Sequence, residues 1–302
     1  MQLNNLCVRL DEEKIEYILN EPMSRHTTFK IGGNADLFVK VKSIDELKRV
    51  IAFAKEYEVP CFILGKGSNL LVSDNGIEGM VILLEGISEV EILPDGTVSC
   101  GAGASLRAVC LAAKKASLTG LEFAYGIPGT VGGALYMNAG AYGGEMSQVV
   151  ESATAIDIDG NVVEFSLDDM KLGYRTSVFK NTGLIIVKVV LKLAEGNQTE
   201  ISNAMDDFFS RRRDKQPLEF PSAGSTFKRP EGYFAGALIE QNNLKGVSVG
   251  GAQVSEKHAG FVINTGGATC SDVLNLIEKI KSTVKNADGV ELEPEVIFVG
   301  RK

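Results

Sequence analysis

A glycine-rich stretch most constrains how this chain can fold. Residues 125–145 read YGIPGTVGGALYMNAGAYGGE, with seven glycines and no lysine or arginine in 21 positions. Glycines beside small residues let the backbone approach a ligand closely and direct its N–H groups at it. An anion bound here would therefore be bound by backbone amides, as diphosphates often are. The alternative is a glycine-rich turn packed between strands, which would need fewer such residues.

A second glycine loop lies upstream, after a short apolar run that predicts a buried strand. Residues 60–74 read PCFILGKGSNLLVSD, with GKGSN at 65–69. The spacing matches neither the Walker A loop nor the GxGxxG dinucleotide fingerprint. Taken alone, GKGSN is equally consistent with a β-turn. Taken together, the two loops indicate two walls of one diphosphate cleft.

Composition excludes several classes of protein. The length of 302 residues allows one large domain or two to three smaller ones, and 44% hydrophobic with 23% charged residues is ordinary for a soluble globular protein. No apolar run approaches the length of a membrane-spanning helix, and the charged N-terminal segment lacks a signal-peptide core. The net charge of −8 argues against a broad nucleic-acid surface. An anionic substrate would need a local basic pocket.

The cysteines and histidines predict neither disulfides nor a metal site. Five scattered cysteines without a CxxC pair are interpreted as buried apolar residues of a reduced compartment, the cytoplasm. They are Cys7, Cys61, Cys100, Cys110 and Cys270. His26 and His258 are the only histidines and are far apart in the chain, which argues against zinc.

The apolar periodicities predict an α+β chain rather than the regular strand–helix alternation of a doubly wound sheet. Ser43 and Glu46 have capping-box spacing, so a helix is predicted from there to about Tyr57. Further helices are predicted at 105–116, 200–213 and 271–285, and strands at 62–64, 80–84, 90–93, 98–101, 155–157, 162–165, 184–193 and 296–299. Turn residues at 94–96 and at 159–160 predict two β-hairpins.

Five sequence blocks resemble one enzyme family. GKGSNLLVSD, GIPGTVGGALYMNAGAYGGE, YRTSVFK, AGSTFKRP and ELEPEV occur in this order. Together they are similar to the UDP-N-acetylenolpyruvoylglucosamine reductase family, flavoenzymes of peptidoglycan precursor synthesis. The resemblance extends from about Asn20 to the C-terminus. The segment 231–269 is compact and has one tyrosine, Tyr233, so the chain resembles the shorter subtype that lacks a tyrosine-bearing substrate loop.

The resemblance implies the domain organisation and the cofactor. A two-lobed FAD-binding domain of the vanillyl-alcohol-oxidase type is expected at 1–200, with lobes at about 20–95 and 96–200. An α+β substrate domain is expected at 201–302, with its last strand packing back on the first lobe; Pro217 and Pro221 support a boundary near 200–220. FAD, bound non-covalently, would place its diphosphate on the glycine loops. The cofactor contacts expected there are Gly65, Lys66, Gly67, Ser68, Asn69, Gly126, Ile127, Pro128, Gly129, Gly132, Gly133, Asn138, Gly140 and Ala141.

The family's reaction sets the demands on the site. NADPH reduces FAD, and the enolpyruvyl ether of UDP-N-acetylglucosamine is then reduced to the lactyl ether. Negative charge develops beside the substrate carboxylate. The site therefore needs a cation or hydrogen-bond donor at that carboxylate, a proton source over the carbon, and close flavin packing.

The resemblance assigns three catalytic residues: Ser225 as proton donor, Arg175 at the carboxylate, and Glu295 beside the enolate. A serine after glycine is more often a turn residue, and a lone arginine more often a surface residue, so only the block matches favour these roles. Glu293 remains the alternative to Glu295, because two residues apart in a strand share a face.

A basic cluster surrounds the serine block, at Arg211, Arg212, Arg213, Lys215, Lys228 and Arg229. Cations favour helix C-termini, so a solvated helix end explains some of them. The resemblance implies substrate contacts at Tyr174, Arg212, Lys215, Lys228 and Arg229, although other members carry asparagine where this chain has Arg229. Gln253 and Asn264 either contact substrate or cap turns. A monomer is expected.

Two other classes of protein remain open from sequence. One is another flavin oxidoreductase of the same fold, such as a sugar oxidase with FAD tethered through histidine; neither histidine of this chain lies in a glycine block. The other is a nucleotide-binding regulator that would not bleach with NADPH.

Overall fold

The structure, a computed structural model, describes residues 2–302 and has the predicted mixture of helices and strands. Within that range the α-helices are α1 (Gln2–Glu12), α2 (Ile44–Glu56), α3 (Leu106–Lys115), α4 (Val131–Tyr136), α5 (Gln198–Lys215), α6 (Ala235–Gln241) and α7 (Cys270–Asp288). The strands are β1 (Tyr17–Pro22), β2 (Asn34–Lys40), β3 (Cys61–Leu64), β4 (Leu70–Val72), β5 (Ile77–Leu83), β6 (Val90–Ile92), β7 (Thr97–Gly101), β8 (Leu118–Thr119), β9 (Gly140–Ala141), β10 (Gly144–Glu145), β11 (Val150–Ile156), β12 (Val162–Ser166), β13 (Ile185–Lys192), β14 (Ala194–Glu195), β15 (Ser248–Val249), β16 (Ala252–Val254), β17 (Val262–Asn264) and β18 (Ile297–Val299).

The chain forms two compact units, each assembled from separate segments. Unit 1 comprises the residues through Ile18, Leu37–Lys66 and Gly79–Arg211. Unit 2 comprises Leu19–Asp36, Gly67–Glu78 and Arg212–Lys302. The domain limits predicted from sequence, 1–200 and 201–302, stay a prediction.

Unit 1 contains a five-stranded antiparallel sheet in the order β12-β11-β13-β7-β6. Both predicted hairpins are confirmed: β6 pairs with β7, and β11 pairs with β12. Strand β13 is buried along most of its length, with Lys188 and Lys192 exposed. In the same unit β3 and β5 pair in parallel, so β3 delivers the chain directly into the first glycine loop. A single buried apolar cluster connects the sheet with α2, α3 and α4.

Local caps explain where the helices of unit 1 begin. The Ser43 hydroxyl accepts a hydrogen bond from the Glu46 amide at 3.1 Å, as the spacing of these residues predicts. Ser105 does the same for the Ala108 amide at 3.2 Å at the start of α3. Helix α2 buries one face, at Leu47, Val50, Ile51, Phe53 and Ala54.

Unit 2 combines a three-stranded antiparallel sheet, in the order β15-β16-β17, with the long helix α7. Thr269 and Asp272 form a capping box at the start of α7, and Gly289, at φ +72°, ends it in the left-handed conformation. Strand β18 pairs in parallel with β4, directly after the first glycine loop. The separate core of this unit includes Phe29, Leu71, Phe227 and Ile280.

One sequence prediction about the cysteines is wrong. Cys61 is exposed, because it begins β3 at the edge of its sheet. The other cysteines are buried, and burial raises the pKa of the Cys100 thiol to about 12, so it stays protonated in the core. Within residues 2–302, no helix is long and apolar enough to cross a membrane.

Candidate active site

The first glycine loop, residues 65–69, joins β3 to β4 and has unsatisfied backbone donors. The amides of Lys66, Gly67 and Ser68 find no acceptor anywhere in residues 2–302. Gly67 is buried and has φ +60°, and a Cβ at that position would lie 2.1 Å from the His26 carbonyl oxygen. Successive N–H groups around a left-handed residue form an anion-binding nest. Of the three residues Gly67 is buried, and a buried N–H group without an acceptor is costly, so this loop fits a bound anion such as a diphosphate.

The second glycine stretch is packed more tightly than its sequence predicts. The amides of Gly129, Val131 and Gly132 donate to carbonyls of the protein at 2.8–2.9 Å, and the Gly133 amide donates to the Thr130 hydroxyl at 3.2 Å. A Cβ at Gly132 would lie 2.8 Å from the Ala102 Cβ, so glycine there serves close backbone packing. The expectation of a long run of amides directed at a ligand is therefore corrected: among residues 126–133, Gly126 and Thr130 keep amides with no acceptor in residues 2–302.

The two glycine loops meet in unit 1. A Cβ at Gly65 would lie 2.6 Å from the Thr130 hydroxyl oxygen, so only glycine permits this approach without a shift. Thr130 also caps α4, which begins at Val131 within the GTVGG sequence of residues 129–133. The Gly65 backbone and the Thr130 side chain therefore bring the two loops into contact, whereas a shared binding surface stays a prediction.

Arg175 lies at the tip of a tight turn in unit 1. The amide and carbonyl of Gly173 bond those of Thr176 at 3.1 and 3.2 Å, leaving Tyr174 and Arg175 as the two central residues. Arg175 has φ +54°, and its guanidinium lies 5.1 Å from the centroid of the exposed Tyr174 ring. The Lys180 ammonium donates to the Arg175 carbonyl at 2.6 Å. The turn thus presents a cation beside an aromatic ring at the surface of its unit.

Ser225 lies in unit 2, directly before a residue that is anchored in the protein interior. Gly224, at φ +78°, directs the chain so that Ser225 is exposed. The next residue, Thr226, is buried; its amide donates to the Gly260 carbonyl at 2.9 Å, and its hydroxyl accepts from the Val262 amide at 2.9 Å. A buried anchor therefore follows directly after the exposed serine.

The C-terminal glutamates pair with the serine block. The Glu295 amide donates to the Thr226 carbonyl at 2.8 Å, and the Lys228 amide donates to the Glu293 carbonyl at 2.8 Å. Glu295 is half-buried, whereas the exposed Glu293 carboxylate forms an ion pair with the Lys228 ammonium. The two glutamates therefore differ in burial and in their contacts, and the choice between them for the chemistry stays a prediction.

The first glycine loop also joins this cluster within unit 2. The Asn69 side-chain amide donates to the Glu295 carbonyl at 3.2 Å, and the Ile297 amide donates to the Asn69 carbonyl at 2.9 Å. Three sequence blocks therefore converge, around Asn69, Ser225 and Glu295. The block containing Arg175 belongs to the other unit.

Sequence reasoning missed an N-terminal segment that supports these blocks. The Thr28 hydroxyl donates to the Ser222 carbonyl at 2.7 Å, and the Thr28 amide donates to the Gly67 carbonyl at 3.4 Å. The Asn264 side-chain amide donates to the Phe29 carbonyl at 3.1 Å. The available signal was the polar and glycine pattern of RHTTFKIGG at residues 25–33.

Gln253 and Asn264, for which the sequence leaves substrate contact and turn capping open, both make hydrogen bonds within turns. The Gln253 side-chain amide donates to the Gly246 carbonyl at 3.1 Å, and the Asn264 side-chain oxygen accepts from the amides of Gly266 and Ala268 at 2.9 and 3.1 Å. These contacts use both polar ends of Asn264 inside the fold.

Several residues of the basic cluster have identified neighbours. Arg211 pairs with Asp207 at 2.7 Å and Arg213 lies 3.5 Å from Asp214, as expected for a solvated helix end. The Arg229 guanidinium lies 4.0 Å from the centroid of the Phe234 ring. Arg212 is half-buried and Lys215 is exposed, both in the last turn of α5.

Family models match two parts of the chain. Residues 35–166 match the model of the FAD binding domain, and residues 216–299 match the C-terminal domain of UDP-N-acetylenolpyruvoylglucosamine reductase. The first match contains both glycine loops, and the second contains Ser225 and Glu295.

Whole-chain comparisons extend this similarity. A UDP-N-acetylenolpyruvoylglucosamine reductase from Caldanaerobacter subterraneus is 52% identical over 285 residues, 94% of each chain. One from Syntrophomonas wolfei is 49% identical over 294 residues, 97% of each chain. The crystal structure of the Thermus caldophilus reductase superposes with a TM-score of 0.81 at 35% identity, covering 94% of this chain and 98% of that one. A variant of berberine bridge enzyme shares the fold at a TM-score of 0.50 and 15% identity, covering 64% of this chain and 44% of that one.

Proposed function

The chain belongs to the UDP-N-acetylenolpyruvoylglucosamine reductase family, and from that premise we propose that it reduces UDP-N-acetylglucosamine enolpyruvate to UDP-N-acetylmuramate with NADPH as reductant. It is an FAD-dependent oxidoreductase of peptidoglycan precursor synthesis, with an FAD-binding domain of the vanillyl-alcohol-oxidase type followed by a substrate domain. The electron donor, the reacting residues and the substrate contacts are the parts that we propose.

We propose that the cofactor diphosphate binds at the first glycine loop, where the amides of Lys66, Gly67 and Ser68 supply the donors that an anion needs. The start of the second stretch, with the amides of Gly126 and Thr130, is proposed as a further cofactor contact. FAD, once reduced by NADPH, supplies the hydride. The residues of this chain bind the cofactor and the substrate, orient them, and protonate the substrate carbon.

Three side chains carry the second half of the reaction in this proposal. Arg175 binds the substrate carboxylate with its planar, permanently charged fork. Ser225 gives its hydroxyl proton to the carbon beside that carboxylate. Glu295 stabilises the developing enolate through a hydrogen bond, which requires the acid or a bonded partner. Charge stabilisation and proton donation of this kind commonly account for several orders of magnitude in rate.

The observation that carries the proposal is the backbone pairing of the serine block with the C-terminal block. Residues Thr226 and Glu295, far apart in sequence, share a 2.8 Å hydrogen bond, and Glu293 is paired with Lys228. A surface serine in an ordinary turn has no need of such an arrangement. The order of all five blocks and the similarity over nearly the whole chain support the same assignment.

Stopped-flow absorbance of the flavin tests the proposal with Ser225→Ala. Reduction by NADPH needs no proton from Ser225, so bleaching should proceed at the wild-type rate. Reoxidation by the enolpyruvyl substrate should slow ~10²–10⁴-fold, as is common for loss of a general acid. Arg175→Ala should show the same split.

The controls separate chemistry from cofactor placement. Ser282→Ala, at an exposed position of α7, should leave both half-reactions unchanged. Reoxidation of Ser225→Ala at the wild-type rate would remove it as proton donor. Failure of flavin reduction in a folded, FAD-loaded variant would assign the block to NADPH binding instead.

We further propose that FAD is held without a covalent bond. His26 bonds the Glu21 carboxylate at 2.8 Å, and the His258 ring accepts from the Gly260 amide at 3.1 Å, so both imidazoles have structural partners. Denaturation followed by filtration should release the yellow colour from the chain. Colour retained on the denatured protein would favour an oxidase-like tether.

A further inference from the structure

The carboxyl end of α4 is tied to the turn that carries Arg175. The Asn138 side-chain amide donates to the Gly173 carbonyl at 3.1 Å. The Ser177 hydroxyl donates to the Tyr136 carbonyl at 2.7 Å. These bonds hold the turn from both sides, one at its first residue and one just after its last. They connect the glycine stretch to Arg175 entirely within unit 1.

The surroundings of Asn138 suit it to hold the Arg175 turn in place rather than to contact a ligand at the surface. It is fully buried, and its side-chain oxygen accepts from the Ser147 amide at 2.9 Å. Its backbone has φ +41°, a conformation that asparagine tolerates better than most residues. Both ends of its amide are therefore used inside the protein, one toward Ser147 and one toward Gly173.

The Arg175 turn needs such support because its conformation is disfavoured. Arg175 has φ +54° and is not glycine, so the turn persists only where its surroundings hold it. Ser177 is buried, which makes its hydrogen bond to Tyr136 a fixed tether rather than a surface contact.

We propose that Asn138, together with Ser177, is a positioning residue that fixes Arg175 for the substrate carboxylate. This rests on the proposed function of Arg175. It replaces the sequence-based expectation that Asn138 contacts FAD, because the Asn138 side chain is committed to Gly173 and Ser147. A displaced guanidinium would still be charged but would no longer form two parallel bonds with the carboxylate.

Asn138→Asp is the sharpest test. Aspartate keeps the shape and the oxygen that accepts from Ser147, but it loses the donor to Gly173 and sets a carboxylate against that carbonyl. FAD content and bleaching by NADPH should match wild type. Reoxidation by the enolpyruvyl substrate should slow ~10- to 100-fold, the scale of a small misplacement of a reacting group. Ser177→Ala removes the other tether and should act in the same direction.

A double-mutant cycle distinguishes positioning from general weakening. Asn138→Asp combined with Arg175→Ala should reoxidise no more slowly than Arg175→Ala alone, since the tether acts only through Arg175. The same should hold for Ser177→Ala with Arg175→Ala, and this pair decides the question if Asn138→Asp does not fold. Thr97→Val removes a 2.7 Å hydrogen bond to Asp95 in the β6–β7 hairpin, and it should lower the Tm without slowing reoxidation.

Three outcomes would overturn the proposal. A folded but colourless Asn138→Asp protein would make Asn138 a cofactor contact. Wild-type reoxidation in both tether variants, or a slowing that adds fully to that of Arg175→Ala, would exclude action through Arg175. If Arg175→Ala itself reoxidises at the wild-type rate, the proposed function fails at that residue, and the positioning role falls with it.

Discussion

At the scale of single residues, Glu293 and Glu295 have different contacts that the sequence could not predict. Glu293 and Glu295 flank Pro294, and strand periodicity would place both on one face. In the structure the Glu293 carboxylate pairs with Lys228, and the Glu295 backbone is hydrogen-bonded to Thr226 and to the Asn69 side chain. The difference arises from a partner segment about 70 positions away, which no local pattern reports.

Matched amides at the two glutamates test this distinction. Glu295→Gln should slow flavin reoxidation by ~10-fold or more and leave bleaching by NADPH intact, because it alters the group beside the enolate. Glu293→Gln should lose only an exposed ion pair, worth at most about 1 kcal/mol of stability, with reoxidation unchanged. The reverse ranking in stopped-flow absorbance would assign the role to Glu293.

The burial of His258 predicts that the stability of the protein depends on pH. Burial lowers the pKa of His258 below its ordinary value of 6.5, with nearby Lys245 acting in the same direction. As the pH falls below 6.5, the unfolded chain binds the proton first, so the folded state loses stability until the pH passes the folded pKa. The Tm should therefore fall between about pH 7.5 and about pH 5.5, more steeply than in His258→Gln. Equal slopes in the two proteins would contradict this.

At the scale of elements, the sequence correctly marks the glycine stretch at 125–145 as unusual, but some of its glycines serve close backbone packing rather than ligand binding. Glycine lowers helix propensity, so the short helix α4 inside this stretch could not be predicted. The close packing of Gly132 on Ala102 depends on a strand end about thirty positions upstream. The first glycine loop, for which GKGSN alone leaves a β-turn and a diphosphate wall open, has three successive amides without acceptors in residues 2–302.

Valine substitutions at Gly129 and Gly132 should therefore have different effects, the first on FAD binding and the second on stability. A Cβ at Gly129 would make only ordinary contacts, at 3.6 Å from Leu106, so Gly129→Val should fold with a near-normal Tm but bind little FAD. At Gly132 the added atoms would meet Ala102, so Gly132→Val should lower the Tm by several degrees, as overpacking costing about 1–3 kcal/mol does. Full FAD occupancy in Gly129→Val, read from the absorbance ratio of flavin to protein, would contradict the cofactor placement.

At the scale of the whole molecule, local signals predicted the periodic elements and missed the assembly. Helices α2, α3, α5 and α7 lie close to their predicted positions because amphipathic faces and caps are local properties. Helix α1 and strands β1 and β2 carry weaker patterns and were not predicted. Local patterns also could not predict which segments of the chain form unit 2, because its core joins Phe29 and Leu71 to residues near the C-terminus.

The net charge bears on how an anionic nucleotide substrate is recognised. The chain carries 39 acidic and 31 basic side chains, so its overall field opposes a diphosphate. Arg211 and Arg213 have acidic neighbours on α5, which leaves their attraction for an anion largely offset. Lys215 and the half-buried Arg212 are the residues at this helix end that we propose for the substrate.

Alanine substitutions along one helix end test that assignment. Arg212→Ala and Lys215→Ala should each raise the apparent KM for the UDP-sugar ~10- to 100-fold with little change in kcat, since a charge-assisted hydrogen bond is worth about 1.5–3 kcal/mol. Arg211→Ala, matched in chemistry and position but paired with Asp207, should leave KM near wild type. Added salt should raise the wild-type KM and affect the two variants less, because screening acts on charges they no longer have. Equal KM values in all four proteins would remove Arg212 and Lys215 from the site.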